Sequence, residues 1–276
     1  MFGGIRFEVL GPVRGWRGET ELELGSPQQR AVLAMLLLAQ RRQVSLGDLI
    51  DGLWGEHVPR SAAGTVRTYV SRLRHRLDDG AEGAAGGLIE SVGDGYVLRP
   101  GSAVLDLGLF EQWVGDARAA RHGHEMARAA RLLRDALVLW RGAALAGIPG
   151  PYADSSRVRL AELYMAAVQE KAATDIALGE HATAIAELRG LLAEHPFREG
   201  LSELLMLALY KSGRQAEALG VYDTVRQRLG AKLGINPGPS LQAMRQRVLR
   251  ADRDLMDPAD VYPGRLVGAG NTPMVA

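Results

Sequence analysis

Residues 61–77 read Ser61-Ala62-Ala63-Gly64-Thr65-Val66-Arg67-Thr68-Tyr69-Val70-Ser71-Arg72-Leu73-Arg74-His75-Arg76-Leu77. At ~100° per residue, Val66, Val70, Leu73 and Leu77 fall on one line down a helix. Thr68, Ser71, Arg72 and His75 fall on the opposite side, and Arg67 and Arg74 stack on one flank. Five arginines lie between Arg60 and Arg76, with no acid among them. The spacing therefore predicts a helix with an apolar underside and a cationic upper face rich in hydrogen-bonding groups. A solvated face laced by i,i+4 ion pairs is the plain alternative, but it has no acids here to pair with.

Upstream, residues 5–24 read as short strands. Ile5 to Leu10 alternates apolar with polar, Gly11-Pro12 breaks the run, and Val13 to Trp16 and Leu22 to Leu24 follow at hairpin spacing. A first helix opens with Ser26 at the N-cap, Pro27 at N1 and Gln29 completing a capping box. Val32, Leu33, Leu36 and Leu37 give it an apolar face. Ser45 starts a second helix, with Asp48 three residues on and a buried stripe of Leu46, Leu49, Ile50, Leu53 and Trp54. Downstream, a Gly/Ala-rich loop over 79–87 leads to strand, turn and strand at 88–98.

The order β-β-β-α-α-α-β-β closes a domain at residues 1–100. It predicts a winged helix-turn-helix whose third helix lies in the DNA major groove. Arginine reads guanine edges bidentately there, and Thr and Ser reach bases or phosphates. Thr68, Ser71, Arg72 and His75 are the expected groove contacts, and Arg67 and Arg74 the expected phosphate contacts. The hairpin Val92-Gly93-Asp94-Gly95-Tyr96 is the natural wing, with Gly93 and Gly95 allowing a tight turn and Tyr96 beside them. Asp94 at its tip works against phosphate contact. The first helix, around Gln28, Gln29 and Arg30, can also turn amides toward a phosphate.

From Val104 onward the strands stop and a helical period takes over, with helices expected over 106–121, 125–140, 156–178, 182–194, 200–212, 215–229 and 239–253. Gly179 and Ala184 recur as Gly213 and Ala218, Leu188 as Tyr222, and Leu191 as Val225. This offset of 34 residues is the period of tetratricopeptide helix pairs. Pro196 meets Gly230, so the second copy is imperfect, and 104–150 shows no clear register. The fold class is mainly α: a winged helix (α+β) followed by an all-α, tetratricopeptide-like domain over 104–254. A plain helical bundle with a chance repeat is the alternative. Residues 255–276 are expected to form a flexible tail.

Composition narrows the rest. The 276 residues carry 33 basic and 32 acidic groups, which excludes a polycation that coats nucleic acid by bulk charge. The first 100 residues hold 12 of each sign, so the basic run on the third helix is local. With no cysteine, disulfides and thiolate metal sites are excluded and a reducing, cytoplasmic compartment is expected. The N-terminus lacks a signal-peptide layout and no apolar run reaches the ~20 residues of a membrane span. There is no Gly-x4-Gly-Lys-Ser/Thr, no His-Glu-x-x-His and no Gly-x-Ser-x-Gly, so no cofactor, metal or catalytic site is expected. His122 and His124 read as a loop or helix-end pair. Trp113, Trp140, Tyr210 and Tyr222 read as core.

Two stretches carry a family resemblance. Three N-terminal strands, Thr65-Val66-Arg67 leading to Arg72-Leu73-Arg74, and Gly93-Asp94-Gly95-Tyr96 resemble the OmpR/PhoB-type winged helix. His195-Pro196-Phe197-Arg198-Glu199, Leu204 to Tyr210, Ser212 to Leu219, and Leu233-Gly234-Ile235-Asn236-Pro237-Gly238-Pro239 resemble the bacterial transcriptional activator domain. Together they resemble the Streptomyces antibiotic regulatory protein family over roughly residues 5–254. That resemblance implies an activator of a secondary-metabolite (antibiotic) gene cluster. Such regulators bind direct repeats near the promoter −35 region as side-by-side protomers and recruit RNA polymerase holoenzyme. Val92 stands where the OmpR-type wing often has a basic residue, which weakens a minor-groove role for the wing. Larger members carry an ATPase module after the activator domain, and neither that module nor an upstream receiver domain is expected here. Two other classes remain open: a ligand- or peptide-sensing regulator, and a scaffold whose winged helix binds protein.

Overall fold

Ser26 caps the first helix as its sequence requires. Its hydroxyl accepts from the Gln29 amide, the Gln29 side chain accepts from the Ser26 amide, and Pro27 occupies the first turn. The structure is a computed structural model and describes residues 4–78, 87–99 and 103–257. Most of the expected Gly/Ala loop (79–86), residues 100–102 between the two expected domains, and the expected tail from 258 lie outside the described residues.

The first compact unit comprises residues Met1–Gly115 and Asp135–Met165. Strands β1 (Ile5–Glu8), β2 (Arg14–Arg17) and β3 (Thr20–Glu21) form an antiparallel run. Helix α1 (Pro27–Leu38) follows, then β4 (Val44–Ser45), α2 (Leu46–Trp54) and α3 (Ala62–Asp78). The hairpin β5 (Ile89–Val92) and β6 (Gly95–Leu98) comes next.

The strands depart from the sequence pattern in three places. The third strand ends at Glu21: Leu22 still donates to the Gly15 carbonyl, but Leu24 turns its side chain into the core. Strands do not stop before Val104, because β7 (Val104–Leu105) runs parallel to β1 and completes a sheet of order β3-β2-β1-β7. A further unexpected strand, β4, pairs with β6 in a second sheet of order β4-β6-β5. Strands of two residues leave no periodicity to read in a sequence.

The core of this unit is apolar and closed. Helix α1 is buried nearly all round from Ala31 to Leu38 instead of along one face, because α2, α3 and β6 all pack on it. Ser45 and Asp48 form the expected capping box on α2. Val66, Val70, Leu73 and Leu77 of α3 are each 1% exposed or less, which at about 1.5–3 kcal/mol apiece anchors the helix firmly. Helix α4 (Asp106–His122) begins in this unit. Its buried Asp106 carboxylate accepts from the amides of Val9, Leu10 and Leu107, tying the end of β1 to the first turn of α4. Phe110, Trp140 and Tyr164 stack in series, with ring centroids 5.3 and 5.0 Å apart.

The second unit comprises residues Asp116–Arg134 and Ala166–Ala276. It takes in the end of α4, most of α5 (Met126–Val138), the later turns of α6 (Pro151–Ala177), then α7 (His181–Glu194), α8 (Glu199–Lys211), α9 (Gln215–Leu233) and α10 (Pro239–Leu249). Arg253–Met256 adds a turn of 3-10 helix that buries Leu255. The 34-residue repeat has a concrete basis. Glu180 donates to the Asp175 carbonyl and Arg214 to the Leu209 carbonyl, each after a left-handed glycine, Gly179 (φ 84°) or Gly213 (φ 76°). These are Schellman-type helix ends at matching positions. Ala184 and Ala218 are both fully buried just beyond them, where only a small side chain fits the helix crossing. The same turn recurs twice more, at Glu125 to Ala120 after His124 (φ 61°) and at Asp252 to Arg247 after Ala251 (φ 50°).

Candidate nucleic-acid interface

Helix α3 presents its two sides as the wheel requires. Ala62, Val66, Val70, Leu73 and Leu77 are buried, while Arg67, Thr68, Ser71, Arg72 and His75 are exposed. Arg67, Arg72 and His75 have no acidic partner among the described residues. The cationic face is thus available to an anion. The Thr68 hydroxyl donates to the Gly64 carbonyl at 2.9 Å, leaving its lone pairs facing outward.

The helix is positioned by side chains from several elements. Tyr69 donates its hydroxyl to Gln28 Oε1, and Arg76 donates to Gln29 Oε1 at 3.3 Å. Arg17 reaches the Leu77 carbonyl near the C-terminal end. These contacts fix α3 against the first turn of α1 and the end of β2. In the first turn of α1 two of the expected amides are already bonded: Gln29 to Ser26 Oγ, and Arg30 to the Ser26 carbonyl at 3.0 Å.

Arg74 lies apart from the other expected contacts. Its Nε donates to the Ile89 carbonyl and its Nη2 to Ser91 Oγ, both at 2.8 Å, and its guanidinium sits 5.7 Å from the Tyr96 ring centroid. Tyr96 is half-buried beneath it. The hairpin turn is held at the other end as well. Gln43 donates to Asp94 Oδ1 at 3.1 Å, and Leu46 donates its amide to the Asp94 carbonyl. The Asp94 carboxylate is therefore turned back onto Gln43. Gly93 (φ 55°) takes the left-handed conformation of the turn, and Gly95 backs onto β4. Sequence reasoning missed Gln43, Arg17 and the role of Arg74; each acts across 15 or more residues of chain, with no local pattern to betray it.

Residues 19–98 match the profile of the transcriptional regulatory protein C-terminal domain, and residues 105–249 that of the bacterial transcriptional activator domain. DnrI of Streptomyces peucetius, named a regulatory protein, is 31% identical over 253 residues, covering 90% of this chain and 93% of DnrI. The chain belongs to the Streptomyces antibiotic regulatory protein family. Within that family, AfsR of Streptomyces griseus is 47% identical over 256 residues, and this chain spans about a quarter (26%) of its length. The solved structure of Mycobacterium tuberculosis EmbR in complex with a low affinity phosphopeptide superposes with a TM-score of 0.84 at 36% identity. It covers 90% of this chain and 65% of that one. The family is one of transcription regulators, and the winged helix followed by a helical domain is its architecture. Among the described residues no group of His, Cys, Asp and Glu could hold a metal ion, and no helix is long and apolar enough to cross a membrane.

Proposed function

We propose that this protein is a sequence-specific activator that binds promoter DNA of a secondary-metabolite gene cluster through α3 and recruits RNA polymerase. The observation that carries the reading is the exposed, acid-free row of Arg67, Thr68, Ser71, Arg72 and His75 standing on a fully buried aliphatic stripe. A rigid helix with that surface fits a major groove, where Arg72 reads a base edge and Arg67 meets phosphate. Residues 1–100 do the reading and 104–254 supply protein contacts. Protomers sit head-to-tail on direct repeats near the −35 region, as family membership suggests.

The test is in vitro selection of duplexes from a random pool with the full chain, followed by titration of the selected site at rising salt. The expected result is a site with two half-sites in the same orientation, bound at least ~10³-fold tighter than random duplex. Its affinity falls linearly with log salt concentration as counterions are released. An unenriched pool, or affinity indifferent to salt, overturns the reading. An inverted repeat overturns the head-to-tail arrangement alone.

A further inference from the structure

We propose that Arg74 is a positioning residue that sets the β5–β6 wing at a fixed distance from α3, so that helix and wing meet DNA as one rigid piece. The inference rests on the DNA-binding function proposed above and deepens it. Arg74 takes the backbone carbonyl of Ile89 and the exposed side-chain hydroxyl of Ser91, two residues further along β5. Ser91 is also the direct cross-strand partner of Tyr96 on β6. One guanidinium on α3 therefore engages both strands of the hairpin, with two N–H bonds to β5 and its Cζ 5.7 Å from the centroid of the Tyr96 ring on β6.

An arginine that neutralises phosphate has to direct its donors outward. Here Nε and Nη2 are spent inward, and the planar fork matches this bridging geometry in a way a lysine ammonium does not. The hairpin tip is tied independently, by Gln43 on Asp94 and by the pairing of Gly95 with Ser45. The tip is thus fixed to the start of α2 and the stem to α3. At its foot the hairpin is also joined to α3 by the Leu88 amide, which donates to Asp78 Oδ1 at 3.1 Å; Arg74 is the tie that reaches from α3 to the rung nearer the turn.

The experiment uses the full chain and its selected operator, with affinity, salt slope and hydroxyl-radical footprint as readouts. Arg74→Met is expected to weaken operator binding by ~10-fold or more, from the loss of charge-assisted bonds that order the wing. Its salt slope stays at the wild-type value, and protection fades at the flank under the wing while the central major-groove protection persists. Arg74→Lys gives the same pattern, because one ammonium cannot span Ile89 and Ser91. Arg67→Ala, by contrast, lowers the slope by ~0.9, as loss of one phosphate contact requires. If Arg74→Met lowers the slope by ~0.9 and leaves the flank protected, Arg74 is a phosphate contact and the proposal is overturned. Should the Arg74 variants fail to fold, Ser91→Ala removes only an exposed hydroxyl and reads the same flank; an unchanged flank there also overturns it. Failure of the wild-type chain to bind duplex at all is a separate result and removes the DNA-binding reading itself.

Discussion

Gly95 backs directly onto Val44: a β-carbon at position 95 would overlap the Val44 carbonyl oxygen and the Cα of Ser45. That close approach is what lets β4 pair with β6 and carry the wing on the start of α2. Gly95→Ala must push the two strands apart, at a cost of about 1–3 kcal/mol. All four tryptophans, Trp16, Trp54, Trp113 and Trp140, belong to the first unit, so their fluorescence reports its unfolding alone. A urea melt followed by tryptophan emission should show the loss. A variant as stable as wild type would mean that β4 yields freely.

Adjacent residues on α3 should separate stability from recognition. Leu73 is fully buried, and Leu73→Ala should destabilise the first unit by about 2–5 kcal/mol. Arg72 is exposed and has no acidic partner among the described residues, so Arg72→Ala should change stability by no more than about 0.5 kcal/mol. The same substitution should weaken operator binding by about 1–3 kcal/mol and relax preference at one base pair. Equal loss on operator and random duplex would make Arg72 a phosphate contact.

How legible this was depends on the range of each signal. Ser26–Gln29 and Ser45–Asp48 are three residues apart, so both capping boxes could be read directly and both are present. The α3 wheel was legible for the same reason, since burial follows from spacing within one helix. Arg74 shares its flank with Arg67 on that wheel, yet the hairpin that claims it returns 15 residues later. The helical repeat was visible at Gly179 and Gly213 because glycine marks a left-handed helix end. The equivalent turns at His124 and Ala251 use residues that carry no such mark, so the register of 104–150 stayed hidden.

Asp106 offers a pH prediction whose sign is opposite to the common carboxylate case. Burial pushes its carboxyl up from the usual value of 3.8, against the pull of the Leu10, Val9 and Leu107 amides, and nearby Glu8 adds to the rise. The folded state then holds this proton more tightly than the unfolded chain. Its contribution is fully present below pH 3.8 and is lost as pH rises through the folded value. Asp106→Asn lacks this titration and leaves the Val9 and Leu10 amides poorly accepted, costing about 1–3 kcal/mol. The stability gap between wild type and variant should shrink as pH rises above 3.8, read by tryptophan-monitored urea melts. A gap that widens with pH would show that the three amides outweigh burial.

Two glycines of α9 and its approach should respond in opposite directions to the same substitution. Gly213 holds φ 76° at the end of α8, where an L side chain crowds the following carbonyl, so Gly213→Ala should cost about 1–2 kcal/mol. Gly220 lies within α9, is exposed, and has open space where a β-carbon would go. There alanine removes backbone freedom from the unfolded chain and clashes with nothing, so Gly220→Ala should stabilise by roughly 0.5–1 kcal/mol. Neither change should alter tryptophan emission in the folded state, because the second unit contains no tryptophan. Circular dichroism at helical wavelengths is the appropriate probe, and it should place the two melting midpoints on either side of wild type. If both midpoints fall, Gly220 sits on a surface that needs its bare backbone.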